Sequence, residues 1–207
     1  MRKYLATGIV ALAVGLFASA SFAQAPNSIG VYFTDVDPSD ADRCAAGLPG
    51  LAPFSAYLFA FEAGNISGWE ASVDVSVGAS LIIQSAETNP IDVVNLGTNV
   101  NWIVGLGGEF DASALLRLVS YSFVFLGNPM PEIQFCVGGT SPSSFDPPQP
   151  GYIQSGEVLP FDLAYPNVPN DLDIKYAAGC AVANPDFPGQ CAVGVEPTTF
   201  GAVKSSF

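Results

Sequence analysis

Four carboxylates fall within the eight residues Asp35-Val36-Asp37-Pro38-Ser39-Asp40-Ala41-Asp42. An oxygen-rich, flexible loop of this kind suits calcium. The central Gly and terminal Glu of an EF-hand are missing. The run therefore reads first as a solvated acidic turn and second as a calcium loop held by Asp35, Asp37, Asp40 and Asp42. Carboxylates offer one other chemistry, because a glycosidase needs only two of them at a suitable separation. Glu62, Glu70, Glu109, Asp111 and Glu132 stand closest to strand-like runs. Sequence does not bring any two of them across a cleft, so no catalytic residue is assigned and a carboxylate-dependent glycan-active enzyme stays an alternative.

The chain has no His, which removes Ser-His-Asp and Cys-His nucleophiles together with His-ligated zinc or iron. It also lacks Gly-x-Ser-x-Gly, the phosphate-loop motif and Ser-x-x-Lys. Gly64-Asn65-Ile66-Ser67-Gly68 has its serine out of place for a nucleophile turn and reads as a hairpin loop. The sequon Asn65-Ile66-Ser67 inside it needs no role beyond that turn.

Trp69, Trp102, Tyr57, Tyr121 and Tyr152 would stack on sugar rings if they pointed outward. Trp69, however, shares its strand face with Ala71, Val73 and Val75, and Trp102 is in phase with Val100 and Val104, so both belong to a core. Tyr152, in a Pro-rich stretch, is the one expected on the surface.

The elements that must carry these residues are strands. From Trp69 to Val77 every odd position is apolar and every even one polar, a period that only a half-buried strand satisfies. Phe54–Ala63 is almost continuously apolar and belongs in a strand covered on both faces. Further strands are expected at 29–34, 80–85, 91–95, 100–106, 117–126 and 132–137, with others at 157–163 and 173–177. Gly64–Gly68 is expected to turn the chain. Asp111–Leu116 invites one helical turn capped by Asp111, and the tail 197–207 invites another. About nine or ten short strands between Gly and Pro punctuation imply an all-β antiparallel sandwich. The Pro-rich segment 138–151 reads as a long surface loop, and 195–207 as a C-terminal extension.

Arg2 and Lys3 precede an apolar run and the small residues Ala18 to Ala23, the pattern of a secretory signal peptide over 1–23 with the mature start at Gln24. The rest, 24–207, is expected to form one domain, without insertion into a membrane. Of 19 acidic and 6 basic residues, Arg2 and Lys3 would leave with the signal, so the formal charge moves from −13 to −15. Such a surface repels nucleic acid, whereas a neutral glycan, a divalent cation or a basic protein remains an acceptable partner. Cys44, Cys136, Cys180 and Cys191 follow the signal and are expected to form two disulfides in an oxidising compartment. The turn-rich spacing favours Cys180 with Cys191, leaving Cys44 with Cys136.

From Pro53 to Val137 the order of elements resembles a cohesin-type jelly-roll sandwich. The resemblance is carried by Ile66-Ser67-Gly68-Trp69-Glu70-Ala71-Ser72-Val73 and by Leu118–Phe125. It implies a noncatalytic extracellular binder or scaffold part, as in the related carbohydrate-binding modules, and transfers no binding residue. Val195–Lys204 separately resembles the closing segments of secreted bacterial proteins. The expected function is thus a noncatalytic binding or structural module outside the cell, requiring no cofactor unless calcium. Self-association through an edge strand or the Phe207 tail is a further alternative.

Overall fold

The computed structural model describes residues 25–77, 80–89, 93–164 and 179–185, with the side chains of Asp40, Ala41 and Val93 excepted. The signal peptide expected at 1–23, the strand expected at 173–177, Cys191 and the tail lie outside the described residues. Two sheets face each other. The smaller contains β1 (Ser28–Tyr32), β3 (Pro53–Phe61), β5 (Leu81–Thr88), β8 (Leu115–Phe125) and β12 (Asp162–Leu163), in the order β12-β1-β3-β8-β5. The larger is organised around the twelve-residue β4 (Gly64–Val75). On one side of it lie β7 (Asn101–Ala112) and then β6 (Val93–Asn95). Its other side is shared by β10 (Gly151–Gln154), leading to β11 (Glu157–Pro160), and by β9 (Ile133–Gly138), leading to β13 (Cys180–Ala183) and β2 (Cys44–Ala45). The architecture is the expected all-β sandwich.

Alternation along β4 places Trp69, Ala71 and Val73 in the core between the sheets. An aromatic chain crosses that core: Trp69 meets Trp102 at 6.0 Å, Trp102 meets Tyr121 at 6.3 Å, and Tyr121 stacks on Phe123 at 5.2 Å. Phe135 closes it, 5.2 Å from Phe123. β3 is covered on both faces over Leu58–Phe61 only, since Pro53 and Ser55 at its start are exposed. Ala56, Leu58 and Ala60 enter the main core, while Phe59 and Phe61 join Tyr32 in a second cluster on the far side of the sheet. The buried Arg43 guanidinium lies 5.8 Å over the Tyr32 ring and donates to the Ala164 and Cys180 carbonyls. One cation thereby ties the two sheets together at their shared edge.

Several expectations are corrected. Gly64–Gly68 is the start of β4 and not a turn, because Ile66 is fully buried and its backbone must stay in the ladder. The chain reverses one step earlier, where Glu62 and Gly64 take φ of 49° and 68°. Asp111–Leu116 is not helical. Asp111 and Ala112 end β7 and Leu115 opens β8, with Asp111 Oδ1 accepting the Ser113 N–H at 2.8 Å. The same side-chain bond serves a helix cap and a tight turn, and here strand pairing on both sides decides for the turn. The run 157–163 divides at buried Phe161 into β11 and β12, which belong to different sheets.

The preferred disulfide pairing is also overturned. Cys136 and Cys180 are directly opposed across the antiparallel β9–β13 ladder, with Cα atoms 4.0 Å apart, and are bonded to each other. This excludes Cys44–Cys136 and Cys180–Cys191. Cys44 is itself disulfide-bonded, and no cysteine among the described residues is free.

Candidate functional site: the outer face of the larger sheet

From Gly68 onward the even-numbered residues of β4 point away from the core, and strand register extends their rows across the sheet. One row runs Val94, Gly105, Gly68, Ile153, Val158 through β6, β7, β4, β10 and β11. Its centre has no side chains, because Gly68 and Gly105 are paired, while its ends are apolar and open, Val94 at 63% and Val158 at 45% exposure. The next row is Ile103, Glu70, Gly151, Pro160. Between Ile66 and Gly68 the partner on β7 jumps from Phe110 to Gly105. That irregularity leaves Leu106–Glu109 without partners on β4 beside the glycine pair, as a bulge does, although Leu106 still pairs with Val93 of β6.

Alternation alone would leave Glu70 and Ser72 in water, yet they are only 7% and 8% exposed. The Pro-rich loop between β9 and β10 folds back over them. Glu70 Oε1 accepts the Ser144 N–H at 2.8 Å and the Ser143 Oγ–H at 3.2 Å, while Oε2 accepts the Ser144 hydroxyl at 2.9 Å. A second latch is reciprocal: Asn101 Nδ2 donates to the Ser141 carbonyl at 3.1 Å, and the Ser141 N–H donates to Asn101 Oδ1 at 3.0 Å. Phe145 closes onto Gly151 so tightly that a Cβ there would stand 2.4 Å from its ring. A larger residue at 151 would force the Phe145 ring to shift. A carboxylate buried this deeply needs donors to offset its lost hydration, and the two serines supply them.

Beside the latch the face is indented by a cleft of about 100 Å³. Ile103, Ile153 and Val158 line it together with Trp69, Glu70, Ser144 and Gly151.

The other residues singled out by the sequence are not gathered here. Asp35 and Asp37 are exposed, and Asp42 Oδ2 accepts the Ser39 N–H at 2.9 Å and hydroxyl at 2.6 Å. Among the described residues no three potential metal ligands converge. Glu62 and Glu109 are exposed, and Glu132 accepts a 2.9 Å bond from the Gln134 amide. The Ser113 hydrogen bonds hold the Asp111 carboxyl below its ordinary range, the wrong direction for a general acid. Trp69 and Trp102 are core residues as expected. Tyr152 is not on the surface: it is 4% exposed, its ring 4.6 Å from Phe161 and its hydroxyl bonded to Asn27 Oδ1 at 3.2 Å. It lies in β10, whose pairing with β4 turns it inward opposite Trp69. Tyr121 is buried too, and Tyr57 is half-buried beneath Arg117, 5.9 Å from its ring.

Sequence reasoning named Glu70 but missed Ser143 and Ser144. It also missed the shelf of Val94, Ile153 and Val158. The available signal was glycine inside strand patterns at Gly68 and Gly105, which marks bulges and close backbone approach.

No family model and no curated protein matches the chain. Among solved structures, it is similar to the sixth cohesin from scaffoldin B of Acetivibrio cellulolyticus, solved in complex with a Cel5 dockerin mutant. That likeness has 12% identity, covers 60% of this chain and 84% of that one, and has a TM-score of 0.38. It is likewise similar to a complex of a CaDoc0917 variant with CaCohA2, with 15% identity over 68% of this chain and 94% of that chain, again at a TM-score of 0.38. Both are likenesses of fold to cohesin structures. Among the described residues no helix is long and apolar enough to cross a membrane.

Proposed function

We propose that this chain is an exported, noncatalytic binding module that takes a protein partner on the outer face of its larger sheet. The supporting observation is the shelf itself. A row of small and aliphatic residues, with Gly105 open and Gly68 covered by the Ile153 side chain, lies between the exposed Val94 and Val158, and one margin is fixed by a loop latched onto a buried carboxylate. Exposed apolar side chains grouped on a rigid face mark interaction surfaces. A protein suits this face better than a glycan, because no aromatic side chain among the described residues is fully exposed, and pyranose recognition relies on open aromatic faces. Calcium in the 35–42 turn is compatible with this reading and is not required by it.

Two variants separate this face from the rest of the surface. Val94→Asp is expected to abolish recovery of an exported partner, whereas Ser55→Asp, on the outer face of the smaller sheet, retains it. Equal loss in both refutes the assignment. Turnover of any polysaccharide that is abolished by Glu62→Gln or Glu109→Gln would replace the binding module with an enzyme.

A further inference from the structure

The cleft beside Glu70 has a composition that a flat docking face does not require. Its lining combines the aliphatic Ile103, Ile153 and Val158 with the acidic Glu70. A carboxylate offers about four acceptor directions. Ser143 and Ser144 occupy three of them, two on Oε1 and one on Oε2. The open direction belongs to Oε2 of a group that lines the cleft and is 7% exposed. The chain as a whole is strongly acidic, with formal charge −13, so its long-range field favours an approaching cation.

We infer that this cleft receives a basic side chain of the partner, with its methylene stem between Ile103, Ile153 and Val158 and its cationic head on Glu70 Oε2. The inference rests on the reading of this face as a docking surface and names the chemistry of what docks. Lysine and arginine combine an apolar stem with a charged head in this order, and a space of about 100 Å³ accommodates a four-carbon stem. An acidic or purely aliphatic residue leaves either the aliphatic lining or the carboxylate unmatched. The seat is built before binding, because the loop that closes it is already held by Ser144 and by the Asn101–Ser141 pair. Little ordering then accompanies insertion.

The test uses the intact mature chain with n-butylammonium chloride as the probe, followed by backbone amide shifts. Methylammonium supplies the charge without the stem, and n-butanol the stem without the charge. Saturable shifts are expected at Ser144, Gly151 and Ile153 with n-butylammonium, with each control at least about tenfold weaker. Ile153→Ser is expected to weaken the shifts, and raising the salt to weaken them further. Glu70→Gln also loosens the loop, so the charge requirement is read from the controls on the unaltered chain. Equal responses to n-butylammonium and n-butanol, shifts confined to the 35–42 turn, or none at the cleft would each overturn the inference. Failure here together with intact discrimination between Val94→Asp and Ser55→Asp removes the basic side chain and leaves the docking face standing.

Discussion

Replacing Glu70 with alanine tests how the Pro-rich loop is held. The substitution removes the acceptor for three hydrogen bonds at 2.8, 2.9 and 3.2 Å and leaves the Ser144 N–H without its partner. A hydrogen bond to a charged group contributes about 1.5–3 kcal/mol, but loop serines that are freed regain water, so the net cost should be about 2–4 kcal/mol. Two features keep the loss local. The Asn101–Ser141 pair still restrains the loop near β9, and the core face of β4 is untouched. The assay is native-state hydrogen exchange at the Ser144 amide. If about 2 kcal/mol is lost from local opening, exchange there accelerates roughly 30-fold. Amides of β13, such as Val182, should change far less. Unchanged exchange at Ser144 would refute the latch, and an equal rise at Ser144 and Val182 would show that Glu70 supports the whole sandwich and not the loop.

Disulfide mapping of the native chain should yield a peptide joining Cys136 to Cys180 and a second joining Cys44 to Cys191. Removing the first by a paired serine substitution should cost about 4 kcal/mol in the chain-entropy model for its separation of 44 residues, read by denaturant unfolding. A Cys44–Cys136 peptide contradicts the register. Burial raises the Tyr121 pKa well above its usual value, although the Trp102 indole N–H, donated at 2.6 Å, opposes the shift. The buried phenol therefore stays neutral where the unfolded one ionises. Its stability contribution is complete below about pH 10 and falls above that by up to about 1.4 kcal/mol per pH unit, so Tyr121→Phe should flatten the alkaline loss of stability in urea unfolding. At neutral pH the same variant should cost about 1 kcal/mol, because the Trp102 N–H loses its acceptor. With Asp42 turned onto Ser39, thermal unfolding should be the same with calcium and with chelator. A rise in melting temperature with calcium would establish a native-state site at the 35–42 turn.

What the sequence revealed depended on the range of the interactions. The period-2 pattern of β4 and the nearly continuous apolar run of β3 are local signals, and they predicted the buried apolar side chains Trp69, Ala71 and Val73 and the two-sided cover of Leu58–Phe61, though not the exposure of Ser55. Trp69 and Trp102 followed from the same parity. Glu70 did not, because its cover comes from Ser143 and Ser144, which lie 73 and 74 residues away. No local pattern records a loop that folds back over a strand. Tyr152 failed for a related reason: β10 has four residues, too few to announce an alternation, and Pro147, Pro148 and Pro150 just before it suggested a loop throughout. The cysteine pairing turned on the β9–β13 register, and β13 is equally short. At Asp111 the residue type was read correctly as one that bonds a nearby backbone N–H, but the geometry it caps was set by β4 and β8 on either side.

The most direct test of the docking face is site-specific photo-cross-linking of the full chain within the exported fraction of its source organism. A photoreactive side chain placed at Val94 or Val158 should yield the same discrete protein adduct, and one at Ser55 should yield none. An adduct at Ser55 alone, or no protein adduct from either position on the larger sheet, would contradict the proposal.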